Sequence, residues 1–222
     1  MQDGLFKPDL RKKPMSDHFK TIFKTFSAEI IEKKSRFIAT ITPASTEQEA
    51  LDFIKSCKKT YHDARHNCSA YIIGTDGRIK HSSDDGEPSG TAGKPMLTVL
   101  DSNGLYNTAA VVTRYFGGIL LGTGGLVRAY TRALEKCIES AELKTMFYGT
   151  KIKIEASYTD AGKLQHMFSG EDITVLSADY TDKVAFNIII PSEDEAALIK
   201  TVSEMTASRS VPEILERSYY TL

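Results

Sequence analysis

The sequence has no apolar run approaching the roughly 18 residues that span a membrane. Its first residues, MQDGLFKPDLRKKP, also lack the apolar core of a secretory signal. Cysteine is scarce, with three residues and no Cys-x-x-Cys pair, which excludes a disulfide framework. Ordinary apolar (41%) and charged (26%) contents therefore predict a globular cytoplasmic protein with reduced thiols and no membrane partner.

The sequence also lacks a large excess of positive or negative charge. The formal net charge is -1, so no global attraction to a polyelectrolyte is expected. Residues 1–147 carry 21 Lys and Arg against 17 Asp and Glu, a balance of +4, and residues 148–222 carry 7 against 12, a balance of -5. No DNA specificity is evident from this asymmetry, which is too small to identify a nucleic-acid partner.

A glycine-rich loop is the strongest local signal, in the stretch RYFGGILLGTGGLVRAYTR that runs from Arg114 to Arg132. A predicted strand leads into it and a predicted helix follows. Backbone N–H groups at such a helix start can bind an anion, and Arg114 and Arg128 bracket the loop. Candidate anion-binding residues between them are Gly117, Gly118, Gly122, Thr123, Gly124 and Gly125. Neither standard nucleotide-binding glycine pattern is present, so a tight turn stays the alternative.

A second candidate site is Ser82–Lys94, within the segment HSSDDGEPSGTAGKP (residues 81–95) that we predict to be one long irregular loop. Its carboxylates could bind Mg²⁺, and its hydroxyls with a lysine could hold phosphate. The residues concerned are Ser83, Asp84, Asp85, Glu87, Ser89, Thr91 and Lys94. The alternative is a solvated loop of turns and helix caps, and no resident metal or cofactor is predicted.

His62 and His66 form a third candidate, because histidines four residues apart can chelate zinc on a helix. The spacing falls between a helix end and a strand start, and no second ligand pair follows. A contact between loops or with solvent is the preferred interpretation. No Gly-x-Ser-x-Gly elbow is present to support a serine hydrolase.

Periodic patterns predict the elements around these sites. Thr46-x-x-Glu49 has the form of a capping box for a helix over 47–60. A stripe of apolar residues from Leu126 to Ala141 predicts one long helix after the glycine loop. After residue 147 the order β-α-β-β-α-β is that of a ferredoxin-like motif, with a second capping box at Ser192-x-x-Glu195. We therefore expect an arm at 1–20, a first domain at 21–146 and a second at 147–222.

Four long motifs carry a family resemblance. They are HDARHNCSAY at 62–71, SSDDGEPSGTAGKP at 82–95, TRYFGGI at 113–119 and LGTGGLVRAY at 121–130. In content and order they closely resemble the bacterial branch of the IMPACT/YigZ family. The motifs lie within roughly residues 20–145, and the rest of the chain looks similar to that branch as well.

The resemblance implies an α+β protein of two domains. The first would be ribosomal protein S5 domain 2-like and the second ferredoxin-like, as in domains IV and V of elongation factor G. Eukaryotic members act in translational control, which implies RNA, the ribosome or a translation-associated protein as partner. Their kinase-regulating pathway is not implied for this chain, and function drawn from fold alone is analogy.

Three function hypotheses follow. The first is a non-enzymatic, translation-linked binding protein that uses both loops and the helix turn bearing Arg128 and Arg132. The second is an enzyme of phosphoryl transfer or hydrolysis, with Asp84 or Asp85 on Mg²⁺ and Lys94 on phosphate. The third is a protein–protein adaptor that docks through the acidic second domain.

Overall fold

The computed structural model describes residues 18–170 and 173–221. Residues in these ranges fall into two compact units, 18–146 and 147–221. Residues 1–17 of the predicted arm lie outside the described part, and its last three residues belong to a short strand, β1 (His18–Thr21).

The first unit is built on a five-stranded sheet. Its elements after β1 are β2 (Phe26–Glu32), β3 (Ser35–Pro43), α1 (Glu47–Thr60), β4 (His66–Ile73), β5 (Ile79–Ser83), α2 (Gly93–Ser102), β6 (Thr108–Tyr115) and α3 (Thr123–Glu139). The strand order is β2-β3-β6-β4-β5, and every neighbouring pair is antiparallel.

Both faces of this sheet are covered by helices. Alternate residues of the central strands, such as Phe37, Ala70 and Val112, are buried in a core shared with α2 and α3. Tyr71 and Ala109 point the other way, into a smaller core beneath α1. Because both faces are buried, β4 and β6 consist almost entirely of buried residues.

The predicted helices are confirmed. The Thr46 hydroxyl accepts a 3.2 Å hydrogen bond from the Glu49 N–H, so Thr46 caps α1. The apolar stripe of α3 is buried at Leu126, Tyr130, Ala133, Leu134, Cys137 and Ile138.

One predicted loop is partly wrong. Within 81–95, the first residues complete β5 and the last begin α2 at Gly93. The strand forms because His81 and Ser83 pair with Tyr71 and Ser69 of β4, and the His81 ring stacks on that of Tyr71. This pairing joins residues that are distant in sequence. The local sequence does not predict it, because the segment is polar and has glycine and proline nearby. The irregular loop is therefore shorter, residues 84–92.

The second unit has the predicted β-α-β-β-α-β order. Its elements are β7 (Lys144–Ala156), α4 (Tyr158–Gly170), β8 (Thr174–Tyr180), β9 (Val184–Pro191), a 3-10 helix (Ser192–Asp194), α5 (Glu195–Met205) and β10 (Glu213–Thr221). Strands β10, β7, β9 and β8 are neighbours in that order. The predicted α+β class with two domains is thus confirmed.

The second capping box is wrong. The Ser192 and Thr150 hydroxyls are within 2.9 Å of each other, and Asp194 occupies the cap position of α5 without a side-chain bond. The Glu195 carboxylate accepts hydrogen bonds from Arg217 of β10 and from the Thr150 hydroxyl. Strong long-range donors have replaced the local partner that the pattern predicted.

Candidate functional site

Both predicted loops leave the first sheet at the same end. Because β5 and β6 are each antiparallel to β4, they run in the same direction and end together, at Ser83 and Tyr115. Register places His66 opposite Arg114, and Arg36 opposite Tyr115. We call this the loop end of the first unit. It contains the acidic loop (84–92), the glycine loop (116–122) and the turn between β2 and β3.

Glu87 and Arg114 join the acidic loop to the end of β6, just before the glycine loop, inside the protein. The Arg114 guanidinium donates a 2.7 Å hydrogen bond to the Glu87 carboxylate, and the Tyr130 hydroxyl donates a 2.8 Å bond to the same oxygen. The side chains of Glu87 and Arg114 are only 3% and 8% exposed. The structure thus places Arg114 in an internal ion pair, and its charge is compensated there.

Asp84 caps the start of α2. Its carboxylate accepts hydrogen bonds from the backbone N–H groups of Gly90, Ala92 and Gly93 at 2.8–2.9 Å. Burial acts to raise the pKa of this carboxyl, but the three N–H donors outweigh it, so the pKa lies below its ordinary value. Gly93 is needed here, because a Cβ on it would lie 2.7 Å from the Ser83 backbone.

Asp85 holds the start of β4. Its carboxylate accepts a hydrogen bond from the Asn67 N–H at 2.7 Å and an ion pair from Lys58 of α1. Its own carbonyl lies 3.0 Å from His66 Nδ1. The structure therefore brings the predicted His66, at the start of β4, into contact with the acidic loop.

The glycine loop is anchored at its first glycine. A Cβ on Gly117 would lie 2.0 Å from the Lys34 carbonyl carbon, so the loop touches the turn between β2 and β3. The Gly117 N–H also donates to the Ser35 hydroxyl at 3.2 Å. Gly118 and Gly122 have φ of +84° and +72° and no other atom near a would-be Cβ, so they turn the chain in open space.

The first turn of α3 lacks a cap. Gly122 is the cap residue, no side chain bonds the first N–H groups, and the turn holds no acidic residue. Thr123 and Gly124 are exposed and Gly125 is half-buried. Exposed Arg128 has no ion pair or hydrogen bond within the described ranges, and its guanidinium lies 3.8 Å from where a Gly124 Cβ would be. This turn can accept an anion.

The remaining predicted residues are distributed around this end. Arg132 of α3 is tied to Glu32 of β2 at 3.1 Å. The Thr91 hydroxyl donates to the Pro88 carbonyl, and the Ser83 hydroxyl accepts from the Asp85 N–H. Ser89, Lys94 and His62 are exposed. The hydrogen bond from the Tyr115 hydroxyl lowers the pKa of Asp63, and neighbouring His62 contributes a smaller effect in the same direction.

Sequence reasoning missed the exposed apolar residues of the glycine loop. Phe116, Ile119 and Leu120 are 51%, 42% and 82% exposed. The available signal was the run FGGILLG, in which large apolar residues lie between glycines and match neither a strand nor a helix period.

Two features are absent from residues 18–170 and 173–221. No helix there is long and apolar enough to cross a membrane. No group of three or more His, Cys, Asp or Glu side chains there has an arrangement that could hold a metal ion.

Comparison with known proteins extends these observations. The sequence pattern of the Impact N-terminal domain matches residues 33–138, and that of a domain of unknown function, DUF1949, matches residues 154–209. IMPACT family member YvyE of Bacillus subtilis is 40% identical over 190 residues, covering 86% of this chain and 88% of that protein. YigZ of Escherichia coli is 36% identical over 162 residues, covering 72% and 79%.

One solved structure supports the fold. It is a crystal structure of a hypothetical protein, with a TM-score of 0.58 at 29% identity over 91% of this chain and 99% of that one. Fold and sequence together define a two-domain α+β protein with an Impact N-terminal domain. The chain belongs to the IMPACT family.

Proposed function

We propose that this chain is a translation-linked binding protein that contacts RNA, on the ribosome or in a complex with a translation factor. The observation that carries this proposal is exposed Arg128 beside the uncapped first turn of α3. Free backbone N–H groups and a cation at a helix start suit a phosphate group. Family members that act in translational control supply the link to translation.

The charge around this turn supports the proposal. Residues 102–134 contain no Asp or Glu. Two carboxylates of this end are neutralised in ion pairs, Glu87 with Arg114 and Glu32 with Arg132. Exposed Lys33 and Lys34 lie in the turn that Gly117 touches. A phosphate backbone would therefore meet cations and N–H donors at the loop end, despite the low net charge of the chain.

Burial and ion pairing guide our choice among the residues predicted to bind RNA. Arg114 is buried, so exchanging it for an acid would disrupt the interior rather than report on binding. Arg132 already has a partner. The residues we propose for phosphate contact are Arg128 and the backbone of Gly122, Thr123, Gly124 and Gly125.

The test is co-sedimentation with ribosomes and binding to fragments of ribosomal RNA, comparing wild type with Arg128→Glu. The matched control is Lys200→Glu, the same charge change on exposed α5 of the second unit. Arg128→Glu is expected to weaken binding and to reduce the slope of log affinity against log salt by roughly one phosphate contact. Equal association of both variants and wild type would contradict the proposal.

The enzyme hypothesis gains no support from the acidic loop. Asp84 accepts three backbone N–H groups, Asp85 is bonded to Lys58 and Asn67, and Glu87 is buried with Arg114. These carboxylates already bind protein groups that a metal would have to displace. Melting-temperature screening with nucleotides and Mg²⁺ tests this alternative, and a clear shift would revive it.

One observation favours the adaptor hypothesis as a second candidate. Among the strands that the structure describes, β8 lies at an edge of its sheet, and it exposes Val175, Leu176 and Tyr180. An exposed edge with apolar side chains can pair with a strand of a partner. Affinity purification from cell extract separates the candidates, because an RNA-mediated complex is lost after nuclease treatment and a direct protein complex is retained.

A further inference from the structure

Phe116 is an exposed aromatic ring with a fixed cation behind it. Its side chain is 51% exposed, and the Arg114 guanidinium carbon lies 5.6 Å from its ring centroid. Arg114 is held in turn by Glu87 and lies 5.5 Å from the ring of Phe37. The Phe116 ring therefore lies against the guanidinium of a buried, ion-paired arginine, and the residue is half exposed to solvent.

The backbone on each side of Phe116 is anchored as well. Tyr115 ends β6, in register with Arg36 of β3. Gly117 is pressed against the Lys34 backbone, and its N–H donates to Ser35. Because the backbone beside the ring is already anchored, little backbone entropy is lost when a ligand covers the ring.

We propose that Phe116 is a stacking platform for an unpaired base of single-stranded RNA. This inference rests on the proposed RNA binding. It adds that the RNA is single-stranded and that Phe116 contacts one of its bases. The loop that begins with Phe116 leads directly into the α3 turn with Arg128, so a base contact and a phosphate contact belong to one segment. Aromatic stacking combined with cations is the usual mode of single-strand binding.

The surrounding charge favours RNA over a protein as the occupant. The absence of Asp and Glu from 102–134 suits a polyanion along the whole loop. Ile119 and Leu120 are also exposed and are the residues that an apolar pocket of a protein partner would take. Substituting Leu120 therefore serves as the control that separates base stacking on Phe116 from apolar contact by its neighbours.

The experiment measures the affinity of the full chain for a short fluorescein-labelled single-stranded RNA and for a fully abasic strand of the same length. The proteins are wild type, Phe116→Leu, Phe116→Tyr, Arg128→Glu and, as a matched control of exposed apolar residues, Leu120→Ala. Phe116→Leu is expected to raise the Kd for intact RNA by roughly 5- to 150-fold, the range of one base–aromatic stack. Phe116→Tyr should retain affinity, and the effect of Phe116→Leu should vanish on the abasic strand.

The outcomes separate this inference from the proposed function. Equal affinity of wild type and Phe116→Leu for intact RNA, with loss in Arg128→Glu, overturns the stacking role and leaves RNA binding standing. No binding of free RNA by a chain that still co-sediments with ribosomes overturns stacking as well. Loss of RNA affinity in Leu120→Ala, with wild-type affinity in Phe116→Leu, overturns it as well, because the RNA contact would then lie on Leu120 and not on the Phe116 ring. Melting temperatures check that each variant is folded.

Discussion

Arg114 at the end of β6 and Glu87 in the acidic loop form an ion pair of 2.7 Å in which both side chains are more than nine-tenths buried. Tyr130 of α3 donates to the same carboxylate oxygen. A strand end, a loop and a helix are thereby joined at one oxygen atom. The acidic loop is thus held by the strand and the helix that flank the glycine loop, although the two loops look like separate ligand sites in the sequence.

Glu87→Gln is expected to lower the free energy of unfolding by about 3–5 kcal/mol, because it leaves the Arg114 charge buried without a counter-charge. Urea denaturation at neutral pH measures this change. The control is Glu193→Gln at an exposed position of the second unit, with an expected change near zero. Combining Glu87→Gln with Arg114→Met should cost less than the sum of the single changes, and strict additivity would argue against a coupled pair.

Asp84→Asn is expected to destabilise the protein by roughly 1–3 kcal/mol at neutral pH, because charge-assisted bonds to three N–H groups are weakened. The pKa of Asp84 in the folded protein lies below its ordinary value of 3.8. Its stabilisation is therefore complete above the unfolded pKa and is lost as pH falls through the lower, folded pKa. The difference between wild type and variant, measured by urea denaturation, should shrink on going from neutral to strongly acidic pH. A pH-independent difference would contradict this.

Gly117→Ala tests the contact between the glycine loop and the turn at Lys34. A new Cβ 2.0 Å from a backbone carbon requires the backbone to move, so the cost is expected at or above the upper end of the usual ~1–3 kcal/mol. Gly118→Ala is the neighbouring control. It meets no atom and should cost only the roughly 1 kcal/mol of its positive φ. Thermal unfolding ranks the two, and equal losses would refute a steric role for Gly117.

The three thiols are expected to be unreactive in the folded protein. All three are buried, and burial raises the pKa of Cys57 and Cys137 to about 11 and that of Cys68 to about 12. Because the thiolate is the reactive form, Ellman's reagent at mildly alkaline pH should react slowly with native protein. Three equivalents should appear at once in guanidinium chloride. Rapid reaction of any thiol in the native state would show that burial is incomplete.

The sequence by itself determined the regular elements whose causes are local. Thr46 and Glu49 mark the start of α1 because a cap is a contact between residues three apart. The stripe from Leu126 to Ile138 defines α3 because 3.6-residue periodicity places its members on one buried face. The same kind of pattern predicted the β-α-β-β-α-β order of the second unit.

Only the tertiary structure decided what the polar residues of the two loops do. An arginine beside a glycine-rich loop fits a ligand or a carboxylate equally well, and the partner of Arg114 lies 27 residues away in sequence. The strand order brings the ends of β5 and β6 together, which no local pattern contains. Burial then distinguishes the residues of this segment. Arg114 is enclosed with Glu87, whereas Phe116 and Arg128, which follow it in the chain, are exposed to solvent. The same side-chain chemistry can stabilise the interior or bind a ligand. Only the distances to partners and the exposure of each side chain distinguish these two roles.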